Sequence, residues 1–344
     1  PASGTARPAR SRAAVGDDFP IGIRISGDEL NPMGMKLPEV VAICAALDAK
    51  NCFDYYNIIA GSSTTLGAAI HIVPPMAIKN GYVAPFAAAV RAKITKPVLV
   101  AGRINQPQIA EDVLASGQAD IIGMTRAMIA DPKMPMKARE GRAEDIRACI
   151  ACNQACIGHM HLGYPISCIQ HPESGRELRY PDKPKAAKPR KIMVVGGGPG
   201  GLKAAAVAAE RGHDVTLYER GKQVGGQVLL AQLLPGRTEF GGIITNLTHE
   251  AKRLGAKIVT NTDVTADFVK TQKPDAVILA TGATPRMPEI LGAEDAHVVN
   301  AWQVLRGEAN VGGSVVVADW RCDWIGLGIA EKLARDGRRV RLCV

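Results

Sequence analysis

Asp145-Ile146-Arg147-Ala148-Cys149-Ile150-Ala151-Cys152-Asn153-Gln154-Ala155-Cys156 is the stretch about which the chain is organised, and a further thiol follows at Cys168. Four of the eight cysteines fall within these few turns of chain, spaced C-x2-C-x3-C-x11-C. Thiolates that bind metal must converge, and gaps of two or three residues let them. Zinc sites usually take two separated C-x2-C knuckles. Three cysteines in one run with a fourth further on suit a cubane iron–sulfur cluster, which the spacing favours over zinc. Cys149, Cys152 and Cys156 also fit one helix face, so unrelated core thiols stay open as a third reading.

Toward the N-terminus the sequence alternates between apolar runs and helical stretches. Strands are expected at Phe19–Ser26, Asp54–Ala60, Pro97–Ala101 and Asp120–Met124. Helices are expected at Pro38–Lys50, Pro85–Lys93 and Pro107–Ser116, the last ended by Gly117. Such alternation means parallel βα units. Function in these folds gathers at strand ends. Here those ends are Arg24, the long loop Gly61–Gly81, Gly102-Arg103 and Gly123-Met124-Thr125-Arg126. Glycine lets backbone N–H groups approach a phosphate, and arginine adds a bidentate charge. Arginines paired with rim carboxylates are the plainer alternative. Only four βα units precede the cysteines, half of a closed barrel.

Toward the C-terminus, Arg179–Lys191 is rich in Pro and Lys and reads as a linker. Strand Ile192–Val195 follows, then Gly196-Gly197-Gly198-Pro199-Gly200-Gly201, a helix over Leu202–Arg211, and strand Asp214–Tyr218 ending at Glu219. A glycine run between a strand and an Ala-rich helix, with an acidic residue closing the next strand, is a dinucleotide-binding pattern. A second βαβ unit begins at Ser314–Asp319, but its loop, Trp320 to Gly328, carries tryptophans where a pyrophosphate needs open backbone. Nicotinamide binding there is not expected.

The chain of 344 residues is 47% hydrophobic and carries a net charge of +9, with only 4% aromatic residues. The positive charges are scattered and no stacking platform for bases is apparent, so nucleic acid is not an expected partner. No apolar run reaches the roughly eighteen residues of a membrane span. No secretory leader is visible in Pro1–Val15, and scattered thiols suit a reducing compartment, so a cytoplasmic location is expected. The chain lacks an initiator Met and stops within the apolar run Val340–Val344, so it reads as part of a longer protein. Residues 1–18 are expected to be poorly ordered.

This order of parts resembles the old-yellow-enzyme-like flavoproteins that carry an iron–sulfur cluster and a C-terminal nucleotide domain. That family includes 2,4-dienoyl-CoA reductase, trimethylamine dehydrogenase, histamine dehydrogenase and N-methylproline demethylase. The phrase Asp145–Cys156 and the preceding Arg126-Ala127-Met128-Ile129-Ala130-Asp131-Pro132 carry the likeness. It implies an α/β chain with the C-terminal half of a (β/α)8 TIM barrel over residues 1–140 and a cluster segment over 141–180. A linker follows at 181–190, a Rossmann-like FAD or ADP domain at 191–310, and the start of a second Rossmann-like unit at 311–344. Cys149, Cys152, Cys156 and Cys168 would be the [4Fe–4S] ligands. Arg24 would face the pyrimidine end of FMN. Gly102, Arg103, Thr125 and Arg126 would hold its phosphate. Gly196, Gly198, Gly201 and Glu219 would hold FAD, or ADP in the same site, with Gly226, Gln227 and Gly282 lining it.

The enoyl-reductase branch of this family places a Trp-His pair after the strand aligned with Asp54–Ala60, where this chain has Ser62-Ser63. A proton donor is therefore missing. His71, later in the loop, is the candidate for substrate binding or proton transfer, with packing of the loop as its alternative role. The expected activity is oxidation of a small secondary or tertiary amine, by N-demethylation, with electrons leaving FMN through the cluster to the nucleotide domain or an external acceptor. NAD(P)H-dependent reduction of a dienoyl-CoA or enoate is the alternative. A zinc-stapled or inactive module is the reading from another class. A homo-oligomer is expected of the complete protein.

Overall fold

The structure is a computed structural model that describes residues 10–180 and 183–344. The chain divides into two compact units, one ending at Glu177 and one beginning at Leu178.

The first unit holds four parallel strands in the order β1 (Gly22–Ser26), β2 (Tyr55–Ile59), β3 (Val98–Ala101) and β4 (Ile121–Gly123). Helices Leu37–Asp48, Ala84–Arg91 and Pro107–Ala115 connect them. Alternate residues take opposite faces of a strand, and the two faces differ here. Tyr56, Ile58, Val98 and Val100 point to one side and pack, fully buried, with Val40, Cys44 and Val90 of the helices and with Val83 just before helix Ala84–Arg91. Burying each such side chain contributes about 1.5–3 kcal/mol. Arg24, Asn57, Leu99 and Ile121 share one register row on the other face.

Two expectations shift. The first strand starts at Gly22 rather than Phe19, which stands 60% exposed; Pro20 has no N–H for a ladder. Residues 1–9 of the segment expected to lack order lie outside the described residues. Residues 10–15 are helical, and Arg12 Nη2 meets Asp54 Oδ2 at 2.5 Å, the carboxylate that also accepts from Ile21 N.

The second unit holds a parallel sheet ordered β7 (Lys257–Val259), β6 (Asp214–Tyr218), β5 (Lys191–Val195), β8 (Ala276–Leu279). Strand order reverses beside β5, and ligands of such sheets sit at that switch point. Helices Pro199–Glu210 and Gly241–Arg253 cover one face, burying Leu202, Ala205, Ala206, Ile243 and Leu247. Of the expected linker, residues 181–182 lie outside the described residues. Lys185 Nζ donates to Glu210 O at 2.7 Å and Ala186 N to Arg211 O at 2.8 Å, so this segment runs against the end of helix Pro199–Glu210, where cations suit the helix dipole. A separate parallel pair, β9 (Ser314–Ala318) and β10 (Arg339–Cys343), packs on helix Trp324–Arg335 through Val315, Val317, Ile329 and Leu333.

Among the described residues no helix is long and apolar enough to cross a membrane.

Candidate functional site

The thiol segment is anchored before it begins. Asp131 and Lys137 form an ion pair at 2.6 Å whose side chains are 5% and 14% exposed. Asp131 Oδ2 also accepts from Arg147 N, and Lys137 Nζ donates to Asp145 O. These bonds turn the chain back toward β3 and β4. Asn105 Nδ2, just beyond β3, then donates to Cys149 O at 2.6 Å, and Met76 N donates to Ala151 O at 3.1 Å.

The thiol segment is not the helix that the spacing of Cys149, Cys152 and Cys156 permits. Ala151 and Asn153 are left-handed, at φ +50 and +57, and only Gln154–Gly158 closes a π turn. Left-handed backbone costs a non-glycine residue about 1–2 kcal/mol, and such residues persist where surroundings hold them. Burial pushes the Cys152 thiol up to about 11, with Cys149, Cys156 and Cys168 adding to the rise. Burial also raises Cys149; the Ala151 N–H and the Arg126 guanidinium oppose that, and Cys168 and Cys156 reinforce it. Cys149 and Cys152 thus feel the charge of the other thiols, and none of the four is in a disulfide. Among the described residues no three Cys, His, Asp or Glu side chains gather as a single metal ion requires.

Arg126 joins this segment to the long loop. Its Nη1 donates to Pro74 O at 2.8 Å and to Asn153 Oδ1 at 2.7 Å, while Asn153 Nδ2 donates to Val73 O at 2.8 Å. Among the described residues Arg126 meets these oxygens and no carboxylate. Arg103 is 7% exposed and left-handed at φ +53, and its guanidinium donates to Ile78 O. Gly102 has a packing reason to be glycine, since a Cβ there would overlap Val83. Thr125 is exposed at the start of helix Thr125–Ala130. Arg24 is exposed on the open face of β1, with no hydrogen bond or ion pair among the described residues.

His71 lies beneath the end of β2. A Cβ on Gly61, at φ +82, would meet His71 Cβ at 2.8 Å. Tyr82 Oη donates to His71 O at 2.5 Å, the rings stand 5.8 Å apart, and the buried His71 Nδ1 has no partner. Ser62 Oγ lies 2.7 Å from Thr64 Oγ1, which accepts from Asn31 Nδ2.

In the second unit the structure gathers all seven expected positions at the ends of β5, β6 and β8. Gly196 turns at φ +108, where a Cβ would overlap Ala280 O; a Cβ on Gly201 would overlap Gly196 O. Gly198 and Gly200 differ: a Cβ on either meets no heavy atom within 4 Å. Packing does not explain these two glycines, and the open space over them fits a phosphate-bearing ligand at the start of a twelve-residue helix. Glu219 Oε2 accepts from Gly197 N at 2.7 Å and Oε1 from Gly221 N at 2.7 Å. Gly226, at φ +53, lies against Gly198 Cα, and Gln227 Nε2 donates to Ala283 O at 3.3 Å beside Gly282. The corresponding turn of the β9 unit is filled instead. Asp319 accepts from Arg321 N and Asp323 N and crowds Gly326, and Trp324 stacks on Phe240 under Arg237.

Sequence reasoning missed Asn153 and Asn105 as connecting side chains. Asn153 carried one signal: asparagine tolerates left-handed backbone better than most residues, and it stands directly after the second thiol.

Residues 10–145 match the model of the NADH:flavin oxidoreductase / NADH oxidase family, and residues 190–315 match that of pyridine nucleotide-disulphide oxidoreductases. The chain is 36% identical over 340 residues to N,N-dimethylglycine/sarcosine dehydrogenase of Chromohalobacter salexigens, covering 96% of this chain and 49% of that one. It is 38% identical over 332 residues to a probable N-methylproline demethylase of Rhizobium meliloti, covering 96% and 49%. The solved 2-naphthoyl-CoA reductase complex superimposes with a TM-score of 0.88 at 34% identity, over 96% of this chain and 50% of that one. The chain thus belongs to the flavin oxidoreductases that join an NADH:flavin oxidoreductase domain to a pyridine nucleotide-disulphide oxidoreductase domain. It spans about half the length of the curated relatives it matches.

Proposed function

We propose that the protein carrying this chain oxidises a small secondary or tertiary amine, such as N-methylproline, by N-demethylation. Cys149, Cys152, Cys156 and Cys168 hold a [4Fe–4S] cluster. Gly102, Arg103, Thr125 and Arg126 hold the FMN phosphate, and Arg24 offers its free charge to the flavin. Gly196, Gly198, Gly201, Glu219, Gly226, Gln227 and Gly282 hold the ADP half of FAD, or ADP itself. When bound, flavin supplies the acceptor for a hydride equivalent and the cluster a one-electron outlet. The substrate's N-methyl group loses that hydride to become an iminium, which water converts to formaldehyde and the demethylated amine.

The observation that carries this reading is the loop at Ser62-Ser63. Reduction of an enoyl thioester needs a proton delivered to carbon by a placed acid. Ser62 is tied to Thr64, and no titratable side chain stands at these two positions. Removal of a hydride from an amine needs no such acid. The likeness to demethylating and dehydrogenating relatives supports the same direction.

The likeness to 2-naphthoyl-CoA reductase favours the opposite direction, NAD(P)H-dependent reduction of an enoyl or dienoyl thioester. On that reading His71, with its unpartnered Nδ1, is the proton donor. Steady-state turnover of N-methylproline against a 2,4-dienoyl-CoA by the whole protein separates the two. Formaldehyde release from the amine is expected; turnover of the thioester alone would overturn the proposal.

A further inference from the structure

Asn153 does more in this fold than separate two thiols. It stands directly after Cys152 in left-handed backbone. Both ends of its amide are used: Oδ1 accepts from Arg126 Nη1 at 2.7 Å and Nδ2 donates to Val73 O at 2.8 Å. The same Arg126 nitrogen donates to Pro74 O at 2.8 Å, and Met76 N closes on Ala151 O at 3.1 Å. Three parts of the unit therefore meet on one side chain: the thiol loop, the arginine after β4, and the loop that carries His71.

We propose that Asn153 is a positioning residue that couples cluster assembly to flavin binding, because its amide aims the Arg126 guanidinium and pins residues 73–76. The inference rests on the reading of Arg126 as a phosphate holder and of the four thiols as cluster ligands. Ala151 is strained in left-handed backbone, and this turn of the loop persists only where other bonds fix it. Thiolate–iron bonds on both sides of Asn153 supply that constraint. With the thiols free of iron, the loop relaxes, the amide swings away, and Arg126 loses an acceptor that holds it. Such coupling is reciprocal, so bound flavin must retain iron by the same factor by which iron strengthens flavin binding.

The test uses the whole protein, loaded with iron and sulfide or depleted by a chelator, titrated with FMN and followed by quenching of flavin fluorescence. Asn153→Gly keeps the left-handed backbone without strain and deletes only the amide. In the wild type, depletion is expected to weaken FMN about tenfold, within the usual range of such couplings, and FMN is expected to slow iron loss to the chelator. Asn153→Gly is expected to hold iron and sulfide as the wild type does, yet to bind FMN weakly whether loaded or depleted. A merely structural role would lower the melting temperature without removing this dependence. Wild-type FMN affinity that ignores iron content would overturn the inference, and that comparison stands whether or not the variant folds. Full coupling retained by Asn153→Gly would also overturn it. A wild type that takes up neither iron nor flavin would overturn the underlying functional reading as well.

Discussion

The carbonyl oxygen of Gly196 lies where a side chain on Gly201 would begin. Between them in the same turn, Gly198 and Gly200 face open space. The glycines of one motif thus have two different reasons to be glycine, and substitution separates them. Gly201→Ala forces helix Pro199–Glu210 off β5 and is expected to cost about 1–3 kcal/mol, seen as a lower midpoint in urea. Gly198→Ala is expected to leave stability within about 0.5 kcal/mol while weakening ADP at least tenfold by calorimetry. Equal stability of both variants would contradict the geometry.

Asp131 and Lys137 predict a coupled loss. Removing one partner of a buried pair leaves a charge uncompensated, at about 3–5 kcal/mol. Asp131→Ala also frees Arg147 N, two residues before Cys149. Lower stability together with lower iron content per chain is expected. A destabilised variant with full iron would show that the thiol loop does not depend on this anchor.

Arg24 predicts the reverse separation. It is exposed and has no partner among the described residues. Arg24→Ala is expected to shift stability by less than about 0.5 kcal/mol, and to lower the flavin reduction potential by removing a charge that favours the anionic reduced form. An unchanged potential would remove Arg24 from the flavin site.

Acid lability is expected at the base of the barrel sheet. Arg91 Nε donates to Asp120 Oδ1 at 3.0 Å and Val98 N to Oδ2 at 2.8 Å. The Arg91 side chain, then the Val98 N–H, hold the Asp120 carboxyl below its usual range. A depressed carboxylate stabilises the fold above its unfolded pKa, about 3.9, and that stability is lost as pH falls through the lower folded value. Denaturation curves between neutral pH and pH 3 are therefore expected to converge for wild type and Asp120→Asn. Parallel curves would show that Asp120 does not contribute.

Much of this molecule is legible in the chain because its strands are short apolar runs closed by glycine. β6 runs over Asp214–Tyr218 as its pattern demands, and β2 and β3 shorten by a residue or two at their ends. The glycine motif placed helix Pro199–Glu210 for a reason of sterics that sequence alone expresses. Helix Gly241–Arg253 went unread although Ile243, Ile244, Leu247 and Ala251 share a face, because its first turn opens on two glycines, poor helix formers. The thiol segment misleads in another way. Periodicity allows Cys149, Cys152 and Cys156 on one helix face, but it cannot report the left-handed turns at Ala151 and Asn153. Nor can it report bonds between residues far apart in the chain, such as Asn153 to Val73 and Asn105 to Cys149. Those bonds are fixed by tertiary packing.

The central claim is that Cys149, Cys152, Cys156 and Cys168 hold a redox cluster, and metal analysis tests it most directly. Iron, acid-labile sulfide and zinc are measured on protein purified without oxygen, with a visible spectrum of the same sample. About four irons and four sulfides per chain, with a broad absorbance bleached by dithionite, are expected. One zinc and no sulfide would contradict the account and make Cys149, Cys152, Cys156 and Cys168 a structural staple.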